Sequence, residues 1–196
     1  QRNENQKVFY HKLGQNQKKD ELVFSDKNHP LRYLSPQTTR DERFLNIYTY
    51  EGTHGYELRL IDLKTNQDGF KILFKGFKYN YLVIDNLEDK LLVTTNNGAS
   101  NYKVVLVDPK KPNQKYWKEI IPEGRDALEQ ATLVGGKIIA TYLKDAASRV
   151  YQFDTNGKAG WEIKLPDLGS VTGFYGERDD KFTFYTFSSF NYPQTI

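Results

Sequence analysis

A set of four short strands that recurs about every 46 residues predicts an all-β fold: a partial β-propeller of about three complete four-stranded blades plus parts of two others. Three observations carry this reading. The interval is constant, turn dipeptides fall between the strands, and no 12-residue stretch shows a helical apolar stripe. A composition with 14 Tyr and 12 Phe agrees, since large rings suit pleated, half-buried surfaces.

The clearest series consists of short apolar strands that close on an Asp, at Leu58–Asp62, Val104–Asp108 and Arg149–Asp154, with successive Asp residues 46 positions apart. A second series precedes it at Phe44–Tyr48, Leu91–Thr95, Ile138–Tyr142 and Phe182–Tyr185, its first residues 47, 47 and 44 apart. A third follows the Asp turns at Lys71–Lys75, Trp117–Ile121 and Trp161–Leu165, and a fourth opens each unit at Tyr81–Asp85, Leu128–Val134 and Val171–Tyr175. Asn97-Gly98, Gly135-Gly136 and Asn156-Gly157 supply hairpin turns between strands. A β-sandwich would give similar strand spacing, but the constant register of the Asp turns favours a propeller. Asp62, Asp108 and Asp154 are expected to accept hydrogen bonds from nearby backbone N–H groups in equivalent turns, not to form a catalytic trio.

Residues 1–29, with Val8–Leu13 and Glu21–Ser25, then form the outer strands of an incomplete blade. Complete blades are expected at 30–76, 77–124 and 125–168, and 169–196 starts a further one. Both ends fall inside blades, and Met is absent even at position 1, so Gln1 reads as a cut end and the chain as a fragment. Its open sheet edges invite self-association unless something covers them.

Composition narrows the function classes. The 28 basic and 25 acidic residues are interspersed and leave a net charge of +3, which argues against a nucleic-acid groove. The absence of Cys excludes disulfides, thiolate metal sites and a Cys nucleophile, and leaves cytoplasm and periplasm equally open. No apolar run approaches a membrane-spanning length. A chain rich in Lys, Asn and Tyr suits an AT-rich bacterial genome.

A search for chemistry finds no complete apparatus. No Ser sits in a G-x-S-x-G elbow: Gly169–Gly173 has the wrong spacing, and Gly98–Tyr102 lacks the second Gly. His11, His29 and His54 show no zinc spacing and read as exposed turn or strand residues. Asp41, Glu42, Asp85, Glu88, Asp89, Asp179 and Asp180 read as solvated turn carboxylates, and a glycosidase would need two of them at a set separation. No catalytic residue, metal site or cofactor is expected. Taken alone, the residues describe a propeller segment with a binding or gating surface.

Three strings resemble the prolyl oligopeptidases. Val8–Val23 contains Tyr10-His11-Lys12-Leu13-Gly14-Gln15-Asn16-Gln17-Lys18-Lys19-Asp20, close to that family's Tyr-His-x-Leu-Gly-Thr-x-Gln-x-x-Asp, with Gln15 in place of Thr. Asn96–Pro122 carries Asn101-Tyr102, Asp108, Pro112, Trp117 and Ile121-Pro122-Glu123 in family order. Gly169–Phe174, followed by Phe187-Ser188-Ser189-Phe190 and Pro193, is similar to a T-S-F-x-x-P stretch. The resemblance implies a seven-bladed propeller joined to an α/β-hydrolase domain whose Ser–Asp–His triad cleaves short proline-containing peptides after proline. The propeller would exclude folded proteins, and this segment by itself would be inactive.

The resemblance also implies three pocket-lining positions. A family Pro-x-Trp-Met string falls on Pro30-Leu31-Arg32-Tyr33, placing Tyr33 at a distal subsite. An Arg-Glu-Gly-Cys string falls on Tyr50-Glu51-Gly52-Thr53. Tyr50 thus replaces a peptide-binding Arg and Thr53 a Cys. A phenol cannot reproduce the fixed donors of a guanidinium, so subsite preference is expected to differ. Ordinary packing between blades is the other reading of Tyr33 and Tyr50. Against a peptidase propeller stand a free-standing propeller-like module that binds peptide or glycan without enzymatic activity, and a structural segment of a surface protein.

Overall fold

A computed structural model describes residues 4–65 and 69–196; Gln1, at the expected cut end, and positions 66–68 of the first expected complete blade lie outside the described residues. Within them the chain forms five antiparallel sheets and no α-helix. Lys7–Tyr10 (β1) pairs with Glu21–Ser25 (β2). Tyr33–Thr38 (β3), Phe44–Tyr50 (β4), Glu57–Asp62 (β5) and Lys71–Phe74 (β6) form a four-stranded meander. Tyr81–Leu87 (β7), Lys90–Thr95 (β8), Lys103–Val107 (β9) and Lys118–Ile121 (β10) form the next. Ala127–Val134 (β11), Lys137–Lys144 (β12), Ala147–Asp154 (β13) and Ala159–Ile163 (β14) form the third, and Ser170–Tyr175 (β15) pairs with Phe184–Ser188 (β16). This is the partial propeller predicted from the repeat. The chain divides into two compact units, residues 1–81 and 82–196. No helix among the described residues is long and apolar enough to cross a membrane.

Strand alternation explains why β12, in the middle of the third meander, is apolar on both faces. Along β12, Ile138, Ala140 and Tyr142 enter one core with Leu92, Val104 and Ile121 of the preceding sheet. The intervening Ile139 enters another core with Val171 and Phe174 of β15. A strand sandwiched between two sheets must present apolar groups at both parities, so a continuous run replaces simple alternation. On β11, Leu128 and Ala131 reach the same core despite opposite parity, because the register shifts between Leu128 and Gln130.

The turns follow their residues. Gly135 and Gly136 both take positive φ (+56° and +68°), the two-residue turn that matches strand twist. The turn from β12 to β13 uses Asp145 and Ala146 at φ 48° and 61°, without glycine. This departs from the dipeptide rule at a cost borne by the long hairpin around it.

Several expectations need correction. Phe182 and Thr183 precede β16 rather than start it, and β14 begins at Ala159 and ends at Ile163, two residues earlier at each end than expected. The opening strand β3 has no counterpart in the predicted series, since Ser35, Pro36, Gln37 and Thr38 carry no apolar signal; Pro36 is accommodated because β3 is an edge strand. Asp62 and Asp108 accept the amides of Lys64 and Lys110 at 3.0 and 2.8 Å, as turn residues should. Asp154 differs: its carboxylate takes Lys137 Nζ at 2.6 Å, and Asn156 accepts the i+2 amide, from Lys158, instead. Asp85 is not a solvated turn carboxylate. It lies on β7 with its side chain 1% exposed and accepts a bond from Arg178 Nε at 2.7 Å.

Candidate functional site

The predicted lining residues gather at one end of the β3–β6 sheet. Tyr33 opens β3 and Tyr50 closes β4, and the antiparallel register sets them directly opposite each other. Directly opposed residues share a face, so both side chains leave the sheet on the same side. Tyr33 is 51% exposed. Tyr50 is half-buried, its ring 5.2 Å from that of Tyr56, which in turn meets Tyr48 edge-on at 5.3 Å. Burial pushes the Tyr50 hydroxyl above the ordinary tyrosine pKa, so it remains a neutral donor and acceptor at physiological pH. Thr53 lies exposed in the β4–β5 loop.

Beside the tyrosines sits a charged knot that sequence reading missed. Arg32 Nε donates to Glu51 Oε1 at 2.8 Å, its Nη1 donates to Asp26 Oδ2 at 3.1 Å, and its guanidinium lies 5.0 Å from the Phe77 ring centroid. His29 Nδ1 contacts the same Asp26 carboxylate at 3.0 Å. Burial would raise the Asp26 pKa, but its bonds to His29 and Arg32 outweigh this and hold it below the usual carboxylate value. For Arg32, burial works against the charge and the bonds to Glu51 and Asp26 prevail, so the guanidinium is held more firmly charged. Its side chain is 12% exposed and already engaged by two carboxylates. It therefore does not supply the free fork whose place Tyr50 has taken. Asp26, His29 and Arg32 lie within six positions of one another, but Glu51 reaches Arg32 only once the β3–β4 hairpin has closed, so the whole knot leaves no local signal.

Beneath Thr53, Gly55 takes φ +69°, and a Cβ there would lie 1.9 Å from the Phe77 carbonyl oxygen. The β4–β5 loop thus rests on the backbone of the β6–β7 connection, and only glycine permits the approach.

Several residues of the three quoted strings build loops or close strand contacts. His11 and Asp20 join at 2.6 Å across the β1–β2 connection, where Asn16 caps a 3₁₀ turn at Gln17–Lys19. Asn113 caps a second such turn, Gln114–Tyr116, and Trp117 Nε1 donates to the Pro112 carbonyl at 2.8 Å. The Asn101 amide donates to Glu123 Oε1 at 2.7 Å, while its side chain donates to the carbonyls of Gly124 and Arg125. Gly169 has no room for a Cβ, which would lie 2.7 Å from the Phe187 ring and 2.4 Å from the Ser188 oxygen. His11, His29 and His54 are all exposed, and no metal-binding group of three or more His, Cys, Asp or Glu residues occurs among the described residues. A cavity of about 410 Å³ is lined by Asp145, Ala146, Leu168, Ser170, Ser188 and Phe190 among others, and by none of the three predicted positions.

The consecutive four-stranded antiparallel meanders are the blades of a β-propeller domain. The chain belongs to the prolyl oligopeptidase family: the family model described as prolyl oligopeptidase, N-terminal beta-propeller domain, matches residues 1–196. It is 38% identical over 190 residues to a prolyl endopeptidase of Elizabethkingia miricola, which covers 97% of this chain and 27% of that protein. It is 39% identical to a prolyl endopeptidase of Elizabethkingia meningoseptica, with the same coverage. A structure from a study of two prolyl endopeptidases and their inter-domain dynamics superposes with a TM-score of 0.88 at 32% identity, over 96% of this chain and 28% of that one. The apo structure of prolyl oligopeptidase B from Galerina marginata has the same fold, with a TM-score of 0.88 at 24% identity, over 97% of this chain and 28% of that one. The chain thus spans about a quarter of the length of the curated relatives it matches.

Proposed function

We propose that this chain is the non-catalytic propeller arc of a bacterial serine peptidase that cleaves short peptides after proline. An α/β-hydrolase domain elsewhere in the gene product would carry the Ser–Asp–His triad. The propeller's role is that of a size filter, admitting an extended peptide and excluding a folded domain. Complete blades fall at 30–76, 77–124 and 125–168, flanked by parts of blades at 1–29 and 169–196. The match of all 196 residues to the propeller domain carries this reading, and the prolyl endopeptidases of two Elizabethkingia species support the substrate class.

Within that reading Tyr33, Tyr50 and Thr53 line the peptide path, with Tyr33 at a distal subsite. The opposed phenols offer flat apolar faces and hydroxyls in place of a guanidinium fork, which favours an apolar or aromatic side chain there over a backbone carbonyl held by charge. The test uses the whole gene product on a Gly-Pro chromogenic peptide extended at its N-terminus. Tyr33→Ala should raise KM for the extended peptide several-fold and leave the minimal Gly-Pro substrate unchanged. Tyr50→Arg should lower KM for the extended peptide by up to about tenfold, the worth of one charge-assisted hydrogen bond. No cleavage of any prolyl peptide would defeat the peptidase reading. Cleavage with KM indifferent to both substitutions would defeat the lining assignment alone.

A further inference from the structure

The connection between β15 and β16, residues 176–183, does more than turn the chain. The Glu177 carbonyl accepts the Gly135 amide at 3.0 Å, in the tight turn from β11 to β12 of the preceding sheet. From there Arg178 reaches on to β7, one sheet further back. Its Nε donates to Asp85 Oδ2 at 2.7 Å and its Nη2 to Asn86 Oδ1 at 2.6 Å. One loop therefore joins three successive sheets at the same end of their first strands, β7, β11 and β15.

The surroundings are shaped to hold this loop down. A Cβ on Gly135 would lie 2.7 Å from the Asp180 carbonyl oxygen, and one on Gly176 would lie 2.7 Å from Val134 Cγ2 and 2.6 Å from Asp180 Oδ2. The loop also closes on itself, since Asp180 Oδ2 accepts the Glu177 amide at 2.7 Å. Asp85 and Asn86 are buried, at 1% and 0% exposure, whereas the Arg178 side chain is 34% exposed. A buried carboxylate is tolerable only with a partner of opposite charge or strong donors, and Arg178 is one such partner of Asp85.

We infer that the 176–183 loop is a tie: through Arg178 on Asp85 and Asn86, and through its seat on the Gly135–Gly136 turn, it locks three consecutive sheets against splaying at this end. These sheets meet through side-chain cores and isolated bonds such as Val171 N to Ser148 Oγ at 3.1 Å, with no strand ladder between them, so they can part without unzipping one. A polar cross-link over two sheet boundaries opposes that motion where packing alone is least directional. The inference stands independently of the peptidase reading, because it concerns how the sheets are held.

Hydrogen exchange on the whole gene product tests it. Arg178→Ala should speed exchange about tenfold or more at 84–89 and 133–138 as well as in the loop, as expected when one partner of a buried pair is removed. Arg178→Lys, which keeps the charge and loses the fork, should have a smaller effect in the same segments. Gly135→Ala leaves Arg178, Asp85 and Asn86 in place but lifts the loop, and it should also speed exchange at 84–89, about fifty residues away in sequence. Changes confined to the mutated segment in each variant would overturn the tie. So would a uniform increase throughout the chain, which would mark Arg178 as a general stability residue.

Discussion

Replacing Arg32 with Ala tests how the end of the β3–β6 sheet is held. The substitution removes bonds to Asp26 and Glu51 and the guanidinium over Phe77. Glu51 is 48% exposed, so its share is that of a surface pair, about 0.5–1 kcal/mol. Asp26 is 11% exposed and would keep His29 but lose a charge-assisted bond, a loss of about 1.5–2 kcal/mol. The cation over the Phe77 ring adds about 0.5 kcal/mol. Together these come to about 3 kcal/mol, a factor of about 100 in the local opening equilibrium. Amide exchange at 26–34 and 50–56 should accelerate accordingly. The pH dependence provides a second check. Asp26 has a folded pKa below its ordinary value of 3.8, so it contributes stability that is present above 3.8 and lost as pH falls through the folded value. The variant should lose less stability over that acid interval than the parent, because the bond to Arg32 that helps depress the pKa is gone. Less than a threefold change in exchange, together with an unchanged acid limb, would refute the assignment of Arg32 as the knot.

Gly157→Ala and Gly98→Ala form an informative pair. Both glycines take positive φ, but a Cβ on Gly157 would lie 2.0 Å from the Ile120 carbonyl oxygen, while one on Gly98 meets only the flexible Gln114 side chain at 3.3 Å. Gly98→Ala should therefore cost about 1–2 kcal/mol in urea unfolding and Gly157→Ala more than about 3; equal losses would show that backbone conformation alone sets the cost. In alkaline titration Tyr142 should be among the last tyrosines to ionise, since burial first and the neighbouring Tyr151 second push its pKa up to about 12. The unfolded group titrates near 10, so this contribution to stability is complete below pH 10 and lost as pH rises toward 12. Tyr142→Phe should flatten the stability curve over that interval, and an unchanged slope would contradict the assignment.

The legibility of the fold varied from strand to strand. Strands β5, β9 and β13 announced themselves because each is apolar and ends at a turn residue, and their even spacing follows from four strands filling every unit. Strand β3 gave no such signal, because an edge strand facing solvent needs no apolar pattern and tolerates Pro36. The quoted strings were legible as a family pattern while their physical work was not. Asn101, His11 and Trp117 hold loops through partners between 5 and 24 positions away.

By itself, then, the sequence determined the class of fold, the positions of most strands and the family resemblance, because these rest on period, turn chemistry and local strings. It also placed Tyr33 and Tyr50 as candidates. Only the tertiary structure set those two phenols opposite each other, closed Arg32 onto Asp26 and Glu51, and carried Arg178 to a buried Asp85. Asp85 looks like any surface carboxylate in the chain, and Arg178, which it binds, lies 93 positions away. A charge pair spanning 93 residues leaves no periodic trace, since its energy depends on two sheet boundaries that exist only after the strands have stacked.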